Sequence, residues 1–240
     1  MKFSVLASGS TGNAIYIQSE QARILVDAGI SGKQLTERLQ KLGMDPSLLT
    51  AIFVTHEHID HVKGLGVLAR RFQIPVYMNE STWNHLPSSV GDIPDTLKNI
   101  IETGAALELE DIRIESIPIS HDAAEPVCYQ IRQDRETFAT VTDLGYVSSR
   151  IVDQLQGVDT LVWESNHDVE MLRMGTYPWN VKRRILSDTG HLSNEDSGEA
   201  LTEILKGTGE NVYLAHLSKD NNLSELAHLT VKNILEETGM

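Results

Sequence analysis

The chain has 240 residues, 40% of them hydrophobic, enough for one large domain with a well-buried core. Its 34 acidic and 20 basic residues leave a formal net charge of −14, which favours solubility and opposes non-specific adhesion to anionic polymers. A single cysteine, Cys128, excludes an internal disulfide and fits a reducing cytoplasm, and without a charged-then-apolar leader or an apolar run near about 18 residues, export and membrane spanning are not expected.

Apolar, β-branched runs at residues 2–6, 14–18 and 23–27 read as strands. The segment 8–13 between the first two is glycine-rich but lacks the lysine and following helix of a P-loop. It reads as a tight loop beneath a site, with Asn13 fixing it or touching substrate. Residues 31–42 have helical spacing and stop at Gly43 and the Asp45–Pro46 turn. Residues 51–55 form a buried strand, and a helix over 61–72 follows. Residues 79–104, with Pro87 and Pro94, are loop-rich. Strands resume between 106 and 141, one of them burying Cys128. Beyond Val147 helices alternate with strands at 160–163 and 211–215. A helix over 195–205 is capped by Ser193 or Asn194, and 222–237 is the last helix. No repeat, low-complexity tract or long linker interrupts this, so residues 1–240 read as one mixed α/β domain.

The densest chemistry lies at the end of the fourth strand, where His56, His58, Asp60 and His61 fall within six consecutive positions. Alternate residues of an extended segment point the same way, so His56 and His58 can converge on one ion. Asp60 and His61 follow where the chain turns and can face a second. A histidine-rich turn without metal is the bland reading; imidazole's role as the commonest metal ligand argues against it.

The pattern resembles the His-x-His-x-Asp-His signature of the metallo-β-lactamase superfamily. Four further motif residues stand in that superfamily's order, each behind an apolar run, with Asp27 before the histidine cluster and His121, Asp143 and His216 after it. The resemblance implies a four-layer αββα sandwich. It places His56, His58 and His121 on one metal, Asp60, His61 and His216 on another, and Asp143 between them. Asp60 would also hold the nucleophile, and Asp27 would orient a ligand histidine. Two divalent ions about 3.5–4 Å apart can share a water and lower its pKa toward neutrality, so hydroxide forms without a strong protein base. Some zinc β-lactamases place a cysteine near the second metal, and no thiol is expected here. The oxygen-rich bridge suits zinc or manganese, with iron as a further candidate.

The segments Gly190 to Ser193 and Ala215 to Ser218 look like paired histidine elements of ribonuclease Z and its phosphodiesterase relatives. That likeness gives His191 the scissile phosphate and the leaving oxygen, and puts Ser218 against substrate. Leu192 separates His191 from Ser193 and departs from the family order, so no role is carried to that serine. A capping or solvent-facing histidine is the plain alternative for His191. Asn166 and His167 would line the phosphate pocket, or else cap the next helix. Lys182, Arg183 and Arg184, with Arg173 nearby, flank Tyr177 and Trp179, a combination suited to gripping phosphates and stacking unpaired bases. Alternatively they form a solvated helix face with Trp179 and Ile185 packed inward. His85 and His228 match no motif and read as structural or surface residues.

Residues 6–13, 164–168, 177–185 and 190–194 together carry a whole-chain resemblance to the YycJ (WalJ) branch, a bacterial cytoplasmic group of the superfamily. The resemblance implies a 5′-to-3′ DNA exonuclease, with DNA as substrate and no membrane partner. The alternative on the same residues is a small-molecule hydrolase acting on a cyclic or simple phosphodiester, with a thioester or lactone ranked below. A non-catalytic docking protein is the third reading.

Overall fold

The computed structural model describes residues 1–240 and divides into two compact units. The first unit comprises Met1–Pro118 and Ala123–Arg135. Its elements are β1 (Lys2–Ala7), β2 (Ala14–Gln18), β3 (Arg23–Val26), α1 (Gly32–Lys41), β4 (Ala51–Phe53), α2 (Ile59–Val62), α3 (Leu65–Phe72), β5 (Val76–Met78), α4 (Glu80–His85), β6 (Lys98–Ile100), β7 (Ala106–Leu109), β8 (Ile112–Pro118) and β9 (Val127–Gln133). Strands β1 to β6 pair in sequence order, antiparallel at first and parallel from β3 onward. All three residues of β4 are fully buried, as expected of a parallel strand covered on both faces. Phe53 stacks on Tyr77 with ring centroids 4.9 Å apart and meets the edge of Tyr129 at 5.5 Å.

Helix α1 starts and stops as its sequence demands. Ser31 and Gln34 form a capping box, and Gly43 takes φ +75 just past its end. The single helix expected over 61–72 is instead two. The helical hydrogen-bond ladder breaks at Gly64, whose amide donates to Ala28 O at 2.8 Å and where an added Cβ would lie 2.3 Å from Ile30 O. Helical structure also begins earlier, at Ile59, so Asp60 and His61 sit on the single turn of α2. The loop-rich span 79–104 contains α4, capped by the Asn79 side chain, and β6. Cys128, in β9, is buried, and burial pushes its thiol up to about 12, an inert group as anticipated. Exposed His85 bonds its own helix at Ser81 O.

The second unit comprises Ile119–Asp122 and Glu136–Met240. It contains β10 (Glu136–Val141), α5 (Ser149–Leu155), β11 (Thr160–Glu164), α6 (Val169–Met174), α7 (Trp179–Ile185), α8 (Asn194–Ile204), β12 (Asn211–Ala215) and α9 (Ser224–Glu237). Strands β10, β11 and β12 are parallel neighbours, so their C-terminal ends lie at one edge. Helix α8 is capped by Ser193 and approaches α9 closely at Gly198, where a Cβ would lie 2.7 Å from Ile234. In the first unit β7, β8 and β9 are antiparallel neighbours in that order. No helix is long and apolar enough to cross a membrane.

Candidate metal centre

In the first unit the site grows from the ends of β3 and β4. Asp27 follows β3 in a left-handed turn (φ 62) that points its carboxylate along the strand end. Its Oδ1 accepts from Thr55 N at 2.8 Å, and its Oδ2 accepts from Thr55 Oγ1 at 2.9 Å and from His61 Nδ1 at 2.8 Å. The Thr55 hydroxyl in turn accepts from His56 Nδ1 at 3.0 Å. One buried carboxylate therefore fixes two imidazoles with Nδ1 as donor and leaves Nε2 of each as the lone-pair nitrogen. The rings of His56, His58 and His61 cluster, with centroid separations of 4.6 Å (His56 to His58) and 4.1 Å (His56 to His61). His58 is the N-cap of α2, and Asp60 lies in its first turn with Oδ2 3.8 Å from His61 Nε2.

The glycine-rich loop lies beneath this turn, as expected. Asn13 N donates to Asp60 O at 2.7 Å, and the Asn13 amide Nδ2 lies 2.9 Å from His61 Nε2. Asn13 Oδ1 accepts from Gly9 N, which aims the NH2 group at the histidine. Gly29 closes the contact, because a Cβ there would lie 1.6 Å from Asp60 O.

In the second unit the strand ends repeat the device. Asp143 follows β10 at φ 62 and His216 follows β12 at φ 56, while Glu164 ends β11 between them. Non-glycine residues in this region are uncommon and collect where function demands them. His216 Nε2 and His121 Nε2 lie 3.6 and 3.7 Å from the same oxygen, Asp143 Oδ1. These spacings are too long for hydrogen bonds and close to the ~3.3 Å edge of a tetrahedron with metal bonds of about 2 Å. His121 Nδ1 donates to Gly190 O at 3.2 Å, and His216 Nδ1 donates to Glu164 Oε1 at 2.8 Å. Burial holds His121 below its ordinary pKa despite the opposing charge of Asp143, which favours the neutral, ligating imidazole. The donor set, with tautomers fixed by outer hydrogen bonds, fits two divalent cations.

Glu164 had no role in the sequence reading, yet it organises this half. It is fully buried; Oε1 also accepts from His191 Nδ1 at 2.8 Å, and Oε2 from Leu144 N at 2.7 Å. Burial raises its pKa, but the charges and hydrogen bonds of His191 and His216 outweigh this and hold it at about 2. Reciprocally, burial lowers the pKa of His191, but Glu164, with help from Asp143, raises it to about 9. His191 Nδ1 lies 3.9 Å from Asp143 Oδ1, so the ring stands beside that carboxylate as well. In the metal-free protein the His191 ring should titrate near 9 by NMR. Glu164→Gln should return it toward or below 6.5, since burial then has less to oppose it. Titration unchanged by that substitution would remove Glu164 as the cause.

The remaining expected residues divide. Asn166 is buried, and its Nδ2 donates to His216 O at 2.9 Å, so it braces the turn that carries His216. His167 is buried against a cavity that His191 also lines. Ser218 ties its own loop, accepting from Asn221 N at 3.2 Å and donating its amide to Asn166 O. Lys182 departs from expectation. It is buried, and its ammonium donates to Arg173 O and Gly175 O, both at 2.7 Å, where it binds chain turns together instead of reaching for phosphate. Arg184 is paired with Asp122, next to His121, while Arg183 is exposed. Trp179 is 62% exposed and does not pack inward. Lys182→Ala should therefore cost about 1–3 kcal/mol of stability by stranding two carbonyls, without altering salt dependence. Arg183→Ala should leave the melting temperature alone and lower the salt slope of DNA binding by about 1. The reverse pattern would restore Lys182 as a phosphate contact.

A family model described as a β-lactamase superfamily domain matches residues 22–217. "Exodeoxyribonuclease YycJ" of Bacillus anthracis is 49% identical over 239 residues, covering 100% of this chain and 90% of that protein. "Exodeoxyribonuclease WalJ" of Streptococcus pneumoniae is 46% identical over 241 residues with the same coverage. Among solved structures, zinc-bound PqqB of Methylobacterium extorquens superposes with a TM-score of 0.78 at 15% identity, covering 97% of this chain and 95% of that one. YhfI of Bacillus subtilis, a metallo-β-lactamase fold protein, gives 0.75 at 18% identity, covering 97% and 92%. At such identities the superpositions speak for the fold alone, two mixed sheets flanked by helices in the αββα arrangement. The chain thus belongs to the metallo-β-lactamase superfamily, in the branch of YycJ and WalJ.

Proposed function

We propose that this chain is a dinuclear-metal-dependent phosphodiesterase that degrades DNA from the 5′ end. The observation that carries the reading is the placement of His191, whose Nδ1 lies 2.8 Å from buried Glu164 and 3.9 Å from Asp143. An alkoxide leaving from phosphorus needs a proton, and this arrangement keeps one ready. The full-length similarity to two exodeoxyribonucleases supports DNA as the substrate.

On the superfamily's pattern, His56, His58 and His121 would hold one cation, Asp60, His61 and His216 the other, and Asp143 both. When bound, such cations acidify a water and offset the charge that builds on the phosphoryl oxygens. Asp60 accepts a hydrogen bond from the attacking water and orients it. Asp27 and Glu164 keep the Nε2 atoms of His61 and His216 turned to the ions by taking their Nδ1 protons. His191, bound to Glu164 through Nδ1, releases the proton on Nε2 to the leaving oxygen. We read residues 1–240 as one functional domain working in the cytoplasm. The unbroken family match and the inert single thiol support this.

A second reading, hydrolysis of a small phosphodiester, is favoured by one observation. With Lys182 and Arg184 already engaged, the basic segment leaves only Arg183 to meet a polyanion, and the chain as a whole carries a net charge of −14. Incubating zinc- and manganese-loaded protein with 5′- and 3′-labelled DNA, and separately with bis(p-nitrophenyl) phosphate, distinguishes the two. Mononucleotides should appear from the 5′ end first. Turnover of the small ester with intact DNA would sink the exonuclease.

A further inference from the structure

We propose that the cavity beside His191 in the second unit receives the nucleobase of the nucleotide being released, an inference that rests on the DNA-cleaving reading above. The cavity measures about 440 Å³, within the usual range for small-molecule sites and ample for a base with part of its sugar. His191 forms part of its wall. An occupant is therefore one side chain away from the carboxylate Asp143, where the reacting phosphate is expected.

Three properties of the lining select the occupant. First, His167 is only 1% exposed, and neither of its ring nitrogens has a hydrogen-bond partner. An imidazole buried that way carries a desolvation cost until something polar meets it. Burial also holds its pKa down at about 4, so at neutral pH the ring offers one donor and one acceptor, the pattern that complements the edge of a heterocycle. Second, no lysine or arginine lines the cavity, whereas Asp188, Asp196 and Glu199 do. A phosphate is repelled from such a wall, and a neutral ring with amino groups to donate is accepted. Third, Tyr146 and Leu186 line the same cavity and remain 49% and 41% exposed. An exposed aromatic ring beside an aliphatic side chain offers a flat apolar surface on which a base can stack. The charge of the cavity thus separates the two halves of a nucleotide, sending phosphate toward the metal ligands and base toward His167.

The test uses oligonucleotides that differ only in whether the 5′-terminal residue carries a base or is abasic. The metal-loaded protein should remove the base-bearing residue with a kcat/KM about 5- to 150-fold higher, the span of one base–aromatic stack. In Tyr146→Ala that ratio should collapse toward unity, and in Tyr146→Phe, which keeps the ring, it should persist. Equal rates on both termini in the wild type, or a ratio indifferent to Tyr146→Ala, would overturn the pocket while leaving the exonuclease intact. A second measurement is independent of catalysis. Deoxyadenosine and deoxycytidine, titrated into metal-free protein, should shift the His167 ring resonances, and spermidine should not. If the loaded protein cleaves no DNA, the exonuclease fails, and this titration still decides the pocket. Binding of spermidine with no response to either nucleoside would overturn it.

Discussion

Asp143→Asn should abolish hydrolysis and release metal, yet leave the protein folded. Two imidazole nitrogens, His121 Nε2 and His216 Nε2, lie 3.7 and 3.6 Å from one Asp143 oxygen, so this carboxylate is the charge around which the second unit's ligands gather. The amide is nearly isosteric but neutral, and it offers an NH2 group where a cation must sit. Asparagine is also among the few residues that accept the left-handed backbone found here (φ 62), so the turn after β10 survives the change. The loss is thereby confined to electrostatics. Bound metal measured by mass spectrometry should fall in step with turnover, while far-UV dichroism stays native. The metal-dependent rise in melting temperature should shrink as well, because ligand binding stabilises only the folded state. His58→Ala should behave alike. A variant that keeps both ions and full activity would refute the ligand assignment.

Much of this site was legible because the fold writes it in a regular form. Asp27, His56, Asp143 and His216 each come just after an apolar run, and each such run is a strand, paired in parallel with a neighbour, whose end carries the polar residue; the first three are largely buried, whereas β12 is half-exposed. Spacing shows such a motif without any knowledge of the sheet. Glu164 ends a strand in the same way, yet its meaning lay hidden. Its importance comes from His191 and His216, 27 and 52 residues further along, and no local pattern connects them. Lys182 failed for a related reason. In sequence, a buried ammonium capping two carbonyls looks the same as the solvated arginine beside it. The break at Gly64 was missed because apolar spacing runs through it, while the cause of the break, the approach of Ile30 O, lies on another segment. Elements as short as α4 and β6 carry too few residues for periodicity to register.

His191→Ala should preserve metal binding yet slow cleavage of DNA by roughly 10²–10⁴-fold, the usual contribution of a positioned general acid. The structure separates this residue from the ligands by its partners. His121 and His216 present Nε2 to Asp143 Oδ1 at 3.7 and 3.6 Å, whereas His191 approaches the same oxygen with Nδ1, at 3.9 Å, a nitrogen whose proton already goes to Glu164. The loss should depend on the leaving group. A deoxyribose oxygen departs as a strong base and needs the proton, so DNA should feel the full effect. p-Nitrophenolate is already a weak base, and its release from bis(p-nitrophenyl) phosphate should slow far less. The pH dependence follows in sign. The active form carries the proton, so kcat for DNA should fall as pH rises through the His191 pKa, about 9 in the metal-free protein and lower with cations nearby. That alkaline limb should be absent from the alanine variant. Equal losses on both substrates would make His191 a phosphate-binding residue instead, and loss of metal would make it a ligand. Glu164→Gln supplies the cross-check, since it leaves His191 in place but removes the charge that keeps it protonated. The alkaline limb should then move to lower pH on DNA, while the small ester, which shares any loss caused by the loosened His216, should show no such limb.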